Sequence, residues 1–311
     1  MYVTVLGSAA GGGFPQWNCA CHNCSHLRSV RTGALARSQA QLVVSCDGSQ
    51  WLFLNASPDL RAQIISAPFL APTSGTRGTP ITGVLLTSAD VDSVMGLLHL
   101  REFQPLRVYA TPSVRRILQE ENRIFRVLER SNPPVNWQDI FLDQWFLSSS
   151  SLSNGKVPLR FRTVALGGEY PDYVSEALRR LLPPEEAVIG VVLAQANKQV
   201  FYAPSLSGRS AHWKDWARSS DVCLLDGTFW TDNELISLGV ASKTAREIGH
   251  IPLSGSAGLL EQFGPAARGS GRRVLIHVNN TNPILDEESP ENREVRHAGW
   301  EIAYDGMEFE L

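Results

Sequence analysis

Three cysteines crowd into six positions, Cys19-x-Cys21-x-x-Cys24, in a hook that follows Gly11-Gly12-Gly13 and Asn18. Thiolates at this spacing can wrap a tetrahedral zinc at about 2.3 Å per sulfur and leave one position for a fourth ligand. As free thiols on a surface loop they would be three oxidisable side chains without a purpose. The fourth ligand is open between the neighbours His22 and His26 and the distant His277, which would staple the C-terminal strand to the hook. Cys46 and Cys223 stand alone in apolar stretches, so the pattern argues for metal before disulfide.

A second set of polar groups stands at the ends of apolar, strand-like runs. Asp90 and Asp92 follow Leu85-Leu86-Thr87, Asp226 ends Val222 to Leu225, His250 lies in Gly249-His250-Ile251-Pro252, and His277 follows Val274-Leu275-Ile276. Each alone has an ordinary explanation: Asp and Ser cap helix starts, and a single His is commonly a satisfied structural group. Together, carboxylates and imidazoles at sheet edges suit zinc, manganese or ferrous iron. Such a metal would sharpen a bound water or activate dioxygen, with His250 as the acid–base group. Beside His277, the run Asn279-Asn280-Thr281-Asn282-Pro283 reads either as a capped turn or as a rim of neutral donors and acceptors for a ligand carrying carboxylates.

These groups need elements to position them. The N-terminal strand runs into Gly7-Ser8-Ala9-Ala10-Gly11-Gly12-Gly13, a loop that allows close backbone approach; no helix follows it, which argues against a dinucleotide site. Residues 39–46 and 51–55 read as strands paired about Asp47-Gly48, and Pro58 opens a helix with Leu60 and Ile64 on its buried side. A surface loop over 67–80 leads to a strand at 83–87 and a helix from Val94 to about Glu102. After a strand at 106–110, Thr111-Pro112-Ser113 caps a helix running to about Arg130. Residues 137–152 and 159–164 are strand-like, parted by a serine run and Asn154-Gly155, and 167–187 is irregular with one short helix. A hairpin turns about Asn197-Lys198, and strands at 222–226, 274–278, 300–304 and 307–311 complete the chain. No repeat and no linker is visible. The pattern suggests two packed sheets covered by helices in a single domain, 1–311, with the zinc hook at 14–26 and the site in loops at one edge.

Bulk properties exclude other classes. Of 311 residues 43% are hydrophobic and 19% charged, with a net charge of -3, which suits a soluble globular protein and not a nucleic-acid surface. No apolar run approaches the about 20 residues of a membrane span, and the N-terminus reads as a strand, not a leader, so the expected location is the cytoplasm.

The order of motifs carries a resemblance. Phe14-Pro15-Gln16-Trp17-Asn18 before the hook, Leu54-Asn55-Ala56-Ser57-Pro58-Asp59, Gly96-Leu97-Leu98-x-Leu100-Arg101-Glu102, the Gly-His-Ile-Pro block and His277 to Pro283 resemble, over nearly the whole chain, the pyrroloquinoline quinone (PQQ) biosynthesis protein B family. That family is a branch of the metallo-β-lactamase superfamily. The resemblance implies an α/β fold, the metallo-β-lactamase-like αββα sandwich of two packed mixed β-sheets flanked by helices. It also implies a structural Zn2+ on Cys19, Cys21 and Cys24 and a second metal, Fe2+, at the sheet edge. The superfamily's His-x-His-x-Asp-His motif falls on Ser88, Asp90, Asp92 and Ser93 and keeps only the Asp, although this family usually has His where Ser93 stands. By the same resemblance Asp226 bridges metal, His250 is the catalytic Gly-His histidine and His277 a late metal-binding histidine. Asp90 and Asp92 join His250 as expected catalytic groups, and Asn279, Asn280, Thr281 and Asn282 as the expected ligand rim. The activity implied first is an iron- and dioxygen-dependent hydroxylation of the tyrosine ring of a Glu-Tyr unit. The alternatives are a carrier of the quinone or its precursor, and a hydrolase of a phosphodiester or ester. Expected partners are that precursor or the quinone, other proteins of the pathway, and a second copy in a homodimer, without nucleic acid or membrane.

Overall fold

Apolar side chains alternate along nearly every strand, and the alternation sorts them into layers. In the computed structural model, which describes residues 1–29, 36–102, 104–130, 132–148, 157–208, 210, 212–265 and 270–311, they belong to fourteen strands. The first group is β1 (Tyr2–Gly7), β2 (Gln41–Ser45), β3 (Trp51–Leu54), β4 (Ile81–Leu85), β5 (Arg107–Ala110) and β6 (Asn136–Asp139). The second is β7 (Trp145–Leu147), β8 (Arg160–Ala165), β9 (Ile189–Gln195), β10 (Lys198–Ala203), β11 (Val222–Asp226), β12 (Arg272–Ile276) and β13 (Trp300–Ile302), and β14 (Glu308–Glu310) closes the chain. They form two seven-stranded sheets, ordered β14-β1-β2-β3-β4-β5-β6 and β13-β12-β11-β10-β9-β8-β7.

Facing residues of the two sheets fill the space between them. Val3, Val5, Leu42, Val44, Leu52 and Leu54 meet Val191, Leu193, Val200, Tyr202, Leu224 and Ile276 in one cluster, none more than 1% exposed. Their neighbours in sequence, such as Val43, Phe53, Phe201, Cys223 and Leu275, turn outward and join Leu60, Trp213, Leu259 and Val295 of the covering helices. Strands buried on both faces read as unbroken apolar runs, which is why these segments stand out in the sequence.

The same pairing order occurs twice. β14, β1, β2 and β3 are joined antiparallel and β3 to β6 parallel. β7 to β10 are joined antiparallel and β10 to β13 parallel. β14 thus takes in the first sheet the place that β7 takes in the second. At one edge the sheets are stitched together by backbone hydrogen bonds: Ala10 N–H to Val278 C=O (2.9 Å), Val278 N–H to Ser8 C=O (3.0 Å) and Ile189 N–H to Thr87 C=O (2.9 Å).

Some elements depart from the sequence reading. The single strand expected over 137–152 is two strands on different sheets, β6 and β7, with Asp143 at φ 60° in the turn between them; Asn154-Gly155 and residues 149–156 around it lie outside the described residues. The helix expected from Val94 is an α turn at Val91–Val94 followed by 3-10 turns at Met95–Leu100. There the Gly96 N–H bonds out of the helix to Ala56 C=O at 2.8 Å. Thr111 does cap its helix, accepting from Val114 N–H, but the α turns stop at Arg116 and give way to a π turn, Ile117–Glu121.

Candidate metal centre

The loops leaving β4, β11 and β12 meet over the stitched edge. β4 delivers Ser88, Asp90, Asp92 and Ser93, β11 ends in Asp226, the long loop after it returns His250, and His277 follows β12 directly. His277 has a φ of 60°, a left-handed conformation that a non-glycine residue adopts where its surroundings demand it. One donor atom each from Asp226, His250 and His277 lie within 4.8 Å of one another. Asp92 Oδ2 approaches His277 Nε2 at 2.8 Å and so brings the acidic loop of the first sheet to the donors of the second. Asp90 stays apart: its carboxylate accepts from Ser88 Oγ at 2.8 Å, and Ser88 Oγ is 3.3 Å from Ser93 Oγ. Asp90 holds the N-cap position of the Val91–Val94 turn, yet its side chain makes no capping hydrogen bond.

Thr228, which the sequence reading passed over, is the hub of the site. Its hydroxyl donates to Asp226 Oδ1 at 2.6 Å and lies 3.1 Å from His250 Nδ1 and 2.9 Å from His277 Nδ1. A hydroxyl has one proton, so having donated to Asp226 it accepts from the imidazoles. His277 then donates from Nδ1 to Thr228 and from Nε2 to the Asp92 carboxylate; a cation at Asp92 would take the place of the Nε2 proton while Thr228 keeps hold of Nδ1–H. Asp226 also accepts from Thr228 N–H (3.0 Å) and Leu206 N–H (2.8 Å) and pairs with His250 Nδ1 at 2.7 Å.

Charge follows from this geometry. Burial pushes the Asp226 carboxyl up, but the charge and hydrogen bond of His250 outweigh it and hold the group below the ordinary carboxylate range. Burial acts likewise on Asp92 and is outweighed by the hydrogen bond and charge of His277. His277 is drawn down by burial and, more strongly, raised by Asp92. Asp90 has no such partner, and burial with the adjacent Asp92 charge pushes it up to about 6. Two ionised carboxylates and an imidazole fit a divalent metal of the zinc, manganese or iron kind, which Asp92, Asp226 and His277 would hold with His250 beside it.

A cavity of about 640 Å³ opens above these residues, the size of a small-ligand site. Gly11, Gly12, Tyr170, Tyr173 and the exposed Lys243 and Glu247 are among its lining residues. Tyr173 donates to Ala89 C=O and Tyr170 to Pro183 C=O (2.6 Å), and burial pushes both phenols up to about 12. Of the four residues expected as a ligand rim, Asn279 lines the cavity. Asn282 donates instead to Gly227 C=O (2.9 Å) and Thr228 C=O (3.2 Å), and Thr281 donates to Glu234 at 2.5 Å, so these brace the site from behind.

In the hook, the sulfurs of Cys19, Cys21 and Cys24 lie within 4.8 Å of one another, a set that fits a thiolate-bound zinc. None of the expected fourth ligands joins them. His22 and His26 are exposed on the helix His22–Ser29, with their rings stacked 6.2 Å apart, and His277 is engaged by Asp92 and Thr228. The group that reaches the sulfurs is the buried side-chain amide of Asn280.

Comparison with known proteins places this arrangement in a class. Residues 50–278 match the beta-lactamase superfamily domain, so the chain is a member of that superfamily. A diphosphatase of the PhnP family shares the fold, with a TM-score of 0.65 at 17% identity over 100% of this chain and 96% of that one. Within the superfamily the chain belongs to the coenzyme PQQ synthesis protein B family. It is 40% identical to the Azotobacter vinelandii protein of that name and 43% identical to that of Methylobacillus flagellatus, each over 100% of both chains. The crystal structure of zinc-bound PqqB from Methylobacterium extorquens superposes with a TM-score of 0.89 at 37% identity, again over 100% of both chains.

Proposed function

We propose that this chain acts in PQQ biosynthesis by hydroxylating the tyrosine ring of a Glu-Tyr-derived precursor with ferrous iron, dioxygen and an external two-electron reductant, one oxygen atom entering the ring and the other leaving as water, in the cavity beside Thr228 and His277. The pathway rests on the kinship with coenzyme PQQ synthesis protein B. The reaction rests on one observation: a mixed carboxylate and imidazole donor set gathered around Thr228 on the floor of a dipeptide-sized cavity. Iron, when bound, supplies the activation of dioxygen. The chain supplies the rest. Asp92 and Asp226, held ionised, and His277, its Nδ1 engaged by Thr228, would hold the cation. His250, its Nδ1 fixed by Asp226, offers Nε2 for proton transfer. Asp90, titrating at about 6, can take up or return a proton near neutrality. Lys243, exposed on the cavity lining, meets a carboxylate of the precursor.

Anaerobic reconstitution with ferrous iron followed by assay on Glu-Tyr peptides tests the reading. The expected result is about one iron retained per chain and hydroxylated peptide, both abolished by Asp92→Ala with Asp90→Ala. Unchanged ring oxidation in that variant would remove the assignment. A carrier of the quinone is favoured by the Ser88–Asp90–Ser93 cluster, where hydroxyls stand in place of the superfamily's histidines. It requires quinone binding that survives metal removal. The hydrolase reading requires cleavage of a nitrophenyl phosphodiester, for which the site lacks the histidines that hold a second metal.

A further inference from the structure

Asn55 carries a hydrogen-bond donor that the fold does not use. It follows the last residue of β3 at φ 70°, a left-handed conformation that asparagine tolerates better than most residues. Its backbone is engaged on both sides: N–H donates to Leu85 C=O (2.7 Å), and C=O accepts from Gln41 Nε2 (2.9 Å). Its side chain reaches the loop that leaves β4, where Oδ1 accepts from Thr87 N–H (2.8 Å) and from Thr87 Oγ1 (3.0 Å). A backbone N–H can only donate, so the end of the amide that faces Thr87 is the oxygen and the other end is Nδ2. Among the described residues Nδ2 has no hydrogen-bond acceptor. Asn55 is nevertheless only 2% exposed, and a buried donor without a partner is costly.

Asn55 lines the cavity together with Thr87, Ser88, Asp90 and Asp92. Close to it lies the hydroxyl of Tyr202, fully buried and without a partner. Burial pushes that phenol far up; the Asp92 charge adds to the push and the Asn55 amide opposes it, so amide and carboxylate share one corner of the site. No hydrogen bond closes between Asn55 and Tyr202. In this corner a ligand carboxylate would be repelled by the ionised Asp92, whereas a neutral oxygen that accepts a hydrogen bond would not. A tyrosyl ring has one such oxygen, its phenol, and a phenylalanyl ring has none.

We infer that Asn55 Nδ2 donates to the phenolic oxygen of the bound tyrosyl ring and so selects a ring that bears a hydroxyl. The inference rests on the substrate proposed above. With Oδ1 tied to Thr87, the amide does not turn to offer its oxygen instead, so the corner pairs with an acceptor. A ring without the oxygen leaves the donor buried and unpaired, which is how a hydrogen-bonding site rejects an analogue.

The test is calorimetric binding of three dipeptides to the zinc-loaded full chain; zinc has no redox chemistry, so the ligands persist. The dipeptides are Glu-Tyr, Glu-Phe and glutamyl-4-aminophenylalanine, whose ring amine donates. The parent is expected to bind Glu-Tyr about 3–10-fold tighter than either of the others. Asn55→Gly accepts the left-handed backbone and removes the amide, and it should bind Glu-Tyr and Glu-Phe alike. Asn55→Asp puts an acceptor where the donor was and should bind the amino ring tighter than Glu-Phe. Ratios measured on one preparation do not move with folding yield or metal load, which scale all three affinities together. A merely structural Asn55 would therefore leave them as in the parent. A parent-like ratio of Glu-Tyr to Glu-Phe in Asn55→Gly overturns the assignment. Should that variant fail to fold, Asn55→Asp decides, and the parent's order of the three ligands there overturns it. A parent that binds none of the three removes the substrate reading itself, whereas one that binds Glu-Tyr and Glu-Phe equally removes only the role of Asn55.

Discussion

One hydroxyl, that of Thr228, sits among a carboxylate and two imidazoles, and the tautomer of His277 depends on it. Thr228→Val keeps the shape and removes the hub. It is expected to weaken metal binding by about 10–100-fold and to cost about 1–3 kcal/mol of stability, measured by chelator competition and urea unfolding. Metal binding equal to the parent would show that Asp226 alone orients the rings. Ser93 gives the converse experiment. It lines the cavity, and Ser93→His, which restores the nitrogen usual in the family, should tighten metal binding by at least about tenfold in a direct titration. The acids and histidines of the centre were legible in the sequence because charged and imidazole groups are rare at the ends of apolar strands. Thr228 was not, because a threonine after Asp226-Gly227 reads as a turn, and its role exists only once β11 and β12 lie side by side. Asn280 was read as part of a ligand rim for the same reason: its partners are more than 250 positions away.

At the scale of elements, local chemistry decides where strands begin and tertiary contact decides where helices stop. Gly96 is the clearest case. A Cβ there would lie 2.2 Å from Ser57 C=O, so Gly96→Ala should cost more than about 3 kcal/mol and disturb the adjoining Asp92 loop; an unaltered melting temperature would contradict the packing. That contact, invisible in a helical pattern, is also why the helix expected from Val94 breaks into short turns. Where β10 and β11 start, Asp221 accepts from Lys198 Nζ (2.9 Å) and Gln199 N–H (2.8 Å). Burial pushes its carboxyl up, but these donors outweigh it and hold it below the ordinary range. With the folded pKa below the unfolded one, the stabilisation is complete above about pH 4 and is lost as pH falls through the folded value. Asp221→Asn should therefore be less stable than the parent at neutral pH by about 0.5 kcal/mol, the size expected of a half-exposed pair, with the gap closing in acid. Urea unfolding at both pH values checks this, and a gap independent of pH would assign the effect to packing.

Over the whole molecule, two sheets with one pairing order share a core, and the candidate metal site lies where they are stitched. The two-layer architecture was legible because strands buried on both faces must be apolar throughout. The repeated pairing order was not, since any mixture of Val, Leu and Ile meets that demand and no residue needs to recur. The crossing from β6 to β7 was hidden for a related reason: a change of sheet leaves no mark on the alternation. β14 completes the first sheet through Phe309, 4% exposed and stacked under the Arg272 guanidinium at 4.4 Å. Phe309→Ala should cost about 3 kcal/mol, read from denaturant unfolding, and a loss confined to a few tenths would mean that the strand only decorates the edge. The place of β14 also has a consequence for a chain being made from its N-terminus. β1 is translated well before β14, yet one of its two flanks is covered by that strand, with Val3 opposite Phe309. Until β14 emerges that flank is an open row of backbone donors and acceptors, able to pair with a neighbouring nascent chain. β1 can therefore be sealed only after β14 has been made, and the sheet that carries Asp92 reaches its final form no earlier than the sheet that carries His277.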